Sequence, residues 1–255
     1  MAVLTLALQS AVSLAFLGFG LLGLAARHHS PGAPPDHRGG WLLVGGALTA
    51  HGTAMLLHSM AAFGAYFAGS GTALYEAFVD WTPAMNHSRT FLLVAFTLAL
   101  LAHAVLPSAR RGVLGAAAFA LMAVGFLLGV LIGRVEEFSA LVHFSSVATW
   151  DVIELVLLLA ALFAALLTSR LDRYAWLALG IYAFSLALNV MWIAALSRRG
   201  LPGEWSPRPW MIHGYRLVLT LGMVYVAARR LQLARRGTPV GSLMEGPARR
   251  PSLVG

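Results

Sequence analysis

Among its 255 residues the chain has no cysteine and no lysine. The first absence excludes disulfides, thiolate metal ligands and thiol nucleophiles. The second excludes a retinal Schiff base, which is built on a lysine amine. Charge of either sign is also scarce, at 11% of residues against about 25% in soluble domains. The sequence has neither a phosphate-cradling glycine loop nor the Gly-x-Ser-x-Gly elbow of serine hydrolases.

What is present is apolar. Hydrophobic residues make up 59% of the chain and the mean hydropathy is +0.76. Apolar runs of 18 or more residues recur along the length, the mark of helices sized to a hydrocarbon layer of ~30 Å. The expected fold is therefore all-α, a polytopic membrane bundle of seven transmembrane helices. The expected spans are 3–26, 41–67, 90–107, 112–133, 144–168, 173–196 and 211–232. The first is too long for a signal-peptide core of ~7–15 residues and reads as an uncleaved span. Pro107, the turns at 110–112 and 170–173, and Pro202, Gly203, Pro207 and Pro209 separate later spans. Residues 1–232 form the expected transmembrane domain, and 233–255 read as a disordered basic tail in the cytoplasm.

The net charge of +8 is carried by arginines placed between apolar runs and in the tail. That placement suits a lipid bilayer as partner rather than nucleic acid. Twelve arginines fall in the first, third and fifth loops and the tail, counted from Arg229, whereas five fall in the second, fourth and sixth loops. The positive-inside rule then predicts N-out, C-in, and the composition fits a bacterial inner membrane. Gly125, Gly129 and Gly133 make two GxxxG steps on the fourth span. They predict a close-contact stripe, either inside the bundle or in a homodimer.

Ionisable groups in hydrocarbon cost ~2.5–3.5 kcal/mol each on insertion scales, which makes them candidates for function. His51 and His58 are seven residues apart and face one way, with Met55 between them. They suit a metal or haem ligand or a proton relay; the plainer reading is a hydrogen bond to a neighbouring helix. Asp151 and Glu154 share one face of the fifth span, and His143 falls on the same stripe. Two acids one turn apart in low dielectric resist being ionised together, which suits a general acid or proton carrier. Asn189 and Trp192 on the sixth span, and His213, Tyr215 and Arg216 on the seventh, lie at matching depth. Arg216 is expected to pair with Asp151 or Glu154, and His103 reads as structural. Together these groups predict a polar cavity opening outward. The second loop, with Glu76, Asp80, Trp81 and His87, is expected above it, and residues 73–81 form an amphipathic lid.

The segment His51-Gly-Thr-Ala-Met55 through Gly64 resembles a motif of the seven-helix membrane proteins called transmembrane protein forty-five. Asn189-Val-Met-Trp192, the loop Leu201-Pro-Gly-Glu-Trp205, and the pair His213 and Tyr215 are similar to that family's last two helices. The chain departs from it in having no acidic residue on the third span and no glycine–histidine pair opening the first. The resemblance implies a seven-helix architecture and no specific chemistry.

Three functions fit these residues. The first is binding or moving a small or lipophilic ligand through the outward cavity, with His58, Asn189, Trp192, His213, Tyr215 and Arg216 as ligand contacts. The second is a metal- or haem-containing oxidoreductase using His51, His58 and His213. The third is an intramembrane acid–base enzyme, a terpenoid cyclase or lipid hydrolase, with Asp151 and Glu154 as catalytic acids. No cofactor is identified by the sequence.

Overall fold

The computed structural model describes residues 2–30, 32–106, 111–135, 140–198 and 209–238, with side chains omitted at 111–115, 135, 140–148, 193–198 and 209. The loop Leu201–Trp205, the side chain of His143 and the tail beyond 238 therefore lie outside the described residues. The chain folds into seven helices: α1 Ala2–His28, α2 Pro35–Ala68, α3 Ala73–Val105, α4 Arg111–Val135, α5 Ala140–Thr168, α6 Arg173–Arg198 and α7 Pro209–Arg235. Each contains a stretch long and apolar enough to cross a membrane.

Two helices exceed their expected spans. α2 begins at Pro35, where a proline suits the first helical turn because its missing N–H has no partner there in any case. α3 begins at Ala73 instead of residue 90. At 34 and 33 residues these two are ~50 Å long, well beyond the hydrocarbon thickness. The expected second loop and its surface lid are thus corrected: Glu76, Asp80, Trp81 and His87 belong to α3, and only Gly69–Thr72 connects the two helices. Thr72 caps α3 by accepting from the Tyr75 N–H at 3.3 Å. The polar early turns are held by α4, whose Arg134 pairs with Asp80 and lies 4.6 Å over the Trp81 ring. Pro83 sits inside α3 without ending it.

The helices pack as a ring. α1 contacts α2 and α7, α2 contacts α3, α3 contacts α5, α5 contacts α6, and α6 contacts α7. α4 lies outside this ring, against α3. Small residues allow the close crossings. A methyl on Gly45 would come within 3.0 Å of the Gly20 carbonyl, so α1 and α2 meet backbone to backbone. The α4 stripe serves the same purpose: a methyl on Gly125 would meet the Phe91 carbonyl at 2.9 Å, and one on Gly129 or Gly133 would strike the backbone of Ser88 or Ala84. These three glycines therefore face α3 of their own chain, the first of the two contacts expected for the stripe.

At the end of the ring opposite the N-terminus, a buried polar knot ties four helices. Asp172 caps α6 by accepting from the Tyr174 and Ala175 N–H groups at 3.0 and 2.9 Å. Its other oxygen accepts from Trp41 Nε1 at 2.6 Å and from Arg230 Nε at 2.7 Å. Arg230 also donates to Ser30 Oγ, just beyond α1, at 3.0 Å. Both ends of the ion pair are shielded from solvent. The large buried apolar side chains, including Phe19, Trp41, Leu48, Phe96, Leu158 and Met223, form the hydrophobic core of the bundle.

Candidate functional site

The half of the ring that carries the N-terminus is not filled. It encloses a cavity of about 430 Å³, within the ~300–1,000 Å³ typical of small-molecule sites. All six ring helices contribute to its wall, and no described residue of α4 does. Helix periodicity explains the convergence. Side chains three, four or seven apart share a face, so α2 presents His51, Met55 and His58, and α5 presents Asp151 and Glu154. α6 presents Tyr182, Ser185, Asn189 and Trp192, and α7 presents Ile212, His213 and Arg216.

Eight of the nine side chains singled out as site residues in the sequence line this one cavity: His51, His58, Asp151, Glu154, Asn189, Trp192, His213 and Arg216. Tyr215, one residue from Arg216 and so turned about 100° away on α7, does not. Its hydroxyl is buried without a hydrogen-bond partner among the described residues. His103 is placed elsewhere, with Nε2 3.1 Å from the Asp36 carbonyl, as befits a structural residue.

The carboxylates do not take the partner expected of them. Tyr182 donates its hydroxyl to Glu154, and Asn189 donates to Asp151 at 2.8 Å. Among the described residues neither acid lies within 4 Å of a guanidinium, and the ion pairs there are Arg134–Asp80 and Arg230–Asp172. Both acids are anchored to α6 by neutral donors, leaving Arg216 without a carboxylate among the described residues.

The sequence reading missed several members of the wall. Arg89, counted there as a loop arginine, enters from α3 with Asn86, Thr90 and Leu93. Its Nη2 donates to Asn86 Oδ1 at 3.0 Å, while its Nε is buried without an acceptor among the described residues. Arg89 and Arg216 are close enough to act electrostatically on each other and on Asp151. Gln9 and Phe16 complete the wall from α1. Phe16 sets its ring edge-on to His51 and Tyr182, with centroids 5.2 and 6.1 Å away. The spacing 182, 185, 189, 192 was a readable signal, as was 86, 89, 90, 93; both are continuous helical stripes.

His51 Nδ1 and His213 Nδ1 are also buried without a partner among the described residues. Among the same residues no group of three His, Cys, Asp or Glu side chains is placed to hold a metal ion. His51, His58 and His213 line one cavity without forming a ligand set. The wall thus offers two guanidiniums, imidazole nitrogens, two carboxyl groups held by neutral donors, and apolar surface from Phe16, Met55, Leu93, Leu186, Trp192 and Ile212. Comparison of the chain with protein-family models, with curated proteins and with solved structures gives no match.

Proposed function

We propose that this chain is a multi-pass protein of a bacterial inner membrane that binds or moves a small or lipophilic ligand through a cavity facing the exterior. The observation that carries this reading is the convergence of polar side chains from six helices on one 430 Å³ space. Buried charges and imidazoles in hydrocarbon are costly unless they face one another or a wet pocket, and here they line a single shared cavity. The arginine distribution supports an N-out, C-in orientation, which turns the cavity outward. Arg89 belongs to the cavity wall and Arg230 to the buried knot rather than to loops, so the count becomes eleven against four. The resemblance to the transmembrane protein forty-five family supports the same architecture and adds nothing on chemistry.

The reading is tested by native mass spectrometry of the detergent-purified protein and of a variant whose cavity is filled, Leu186→Trp. The expected result is a small molecule retained by the wild type and absent from the filled variant. An identical spectrum from both, with equal thermal stability in lipid extract, would contradict a ligand cavity.

A further inference from the structure

The donors and acceptors of the cavity do not balance. Among the described residues its acids are engaged, Glu154 by Tyr182 and Asp151 by Asn189. Its cations are not: neither Arg89 nor Arg216 lies within 4 Å of a carboxylate there, and Arg89 donates only to the neutral Asn86. Arg89 Nε, His51 Nδ1 and His213 Nδ1 are buried without partners among those residues, and His51 is only 7% exposed. Arg89 Nε is a donor in every state, and an orphaned buried donor forfeits the hydration it had in the unfolded chain, so it calls for an acceptor; the imidazole nitrogens can donate or accept. Two guanidiniums from opposite sides of the ring, α3 and α7, suit a planar or tetrahedral oxyanion, which each can grip with paired N–H groups. The remaining wall is apolar, from Phe16, Met55, Leu93 and Ile212.

Resting on the cavity reading above, we infer that the ligand is an anionic amphiphile: a carboxylate or phosphate ester held by Arg89 and Arg216, with an apolar body against Phe16, Met55, Leu93 and Ile212. Replacing Asp151 by Asn removes a competing negative charge and leaves the guanidiniums in place, so it tightens binding.

The test uses the full-length protein in a neutral detergent and four probes sharing one tail: decanoate, decyl phosphate, decanol and decyltrimethylammonium, with inorganic phosphate as a fifth. Affinity is read by competition calorimetry. The expected result is that one of the two anions binds at least tenfold more tightly than decanol or the cation, and that inorganic phosphate binds far more weakly. Arg89→Gln and Arg216→Gln each lose tenfold or more, Asp151→Asn gains, and Arg229→Gln, exposed near the C-terminal end of α7 where it donates to Gln232, changes nothing. The ranking of probes on the wild type stands even if an arginine variant does not fold. Equal binding of decanol and the anions, preference for the ammonium, or inorganic phosphate matching decyl phosphate would overturn the inference. If decanol or the ammonium binds best and Leu186→Trp abolishes it, the cavity reading survives without the anion. If no probe distinguishes wild type from Leu186→Trp, both fail.

Discussion

Glu154 is 1% exposed, and its one described donor is the Tyr182 hydroxyl. Removing that hydroxyl leaves a buried carboxyl group without its donor, at a cost of ~1–3 kcal/mol. Tyr182→Phe should therefore lower the unfolding midpoint in detergent, whereas Tyr225→Phe, at a side chain 71% exposed on the bundle surface, should not. An unchanged midpoint in Tyr182→Phe would show that Glu154 is satisfied by water instead. Individual polar residues in the apolar spans were legible in the sequence, because a His or Asp in hydrocarbon is costly and stands out against its neighbours. Partner choice was not legible. Arg216 and the acids sit at matching depth, but depth does not say which side of the ring a side chain faces. Arg89 was missed because the surrounding stretch, with Glu76, Asp80 and Asn86, is too polar to read as a span; only the helical stripe of Asn86, Arg89, Thr90 and Leu93 marked it.

Helix number was readable from apolar runs alone, and six of the seven expected spans fall within helices close to where they were expected. α3 was the exception. Its first four turns carry polar residues, of which Asp80 meets Arg134 of α4, and a contact made by a helix some fifty residues later leaves no local signature. Likewise, GxxxG spacing on α4 identified a close-packing face without saying what packs on it. Because a methyl on Gly129 would strike the Ser88 backbone, Gly129→Ala should destabilise by about 1–3 kcal/mol through overpacking. Gly180→Ala is the matching control: its nearest neighbour would be Trp176, at 3.9 Å, so the substitution should be neutral or gain up to ~1 kcal/mol of helix propensity. Both are read from unfolding midpoints. If Gly129→Ala leaves stability intact but shifts the protein from dimer to monomer on sizing, the stripe belongs to a homodimer after all.

Ring closure depends on contacts between the first and last helices, which no local pattern announces. The knot of Asp172, Arg230, Trp41 and Ser30 joins α1, α2, α6 and α7 at the end opposite the cavity. Asp172→Ala would strand a buried guanidinium, and breaking such a pair costs ~3–5 kcal/mol. The expected outcome is a sharp loss of folded protein on solubilisation. The double variant Asp172→Leu with Arg230→Met, which removes both charges, should recover most of it; failure of the double variant would mean the capping and Trp41 bonds matter more than the charge. A rigid knot at one end and an unfilled, polar-lined space at the other divide the bundle into a structural half and a binding half. The absence of native cysteine makes this division directly measurable, since any introduced thiol is unique. Single cysteines at His58, Asn189 and His213, with Ala178 in the packed core as control, can be treated in intact cells with a small, membrane-impermeant sulfonated thiol reagent. The account predicts rapid labelling at the three cavity positions from the exterior and none at Ala178. Labelling only after the cells are opened would contradict the outward orientation, and three cavity positions as unreactive as Ala178 would contradict the cavity itself.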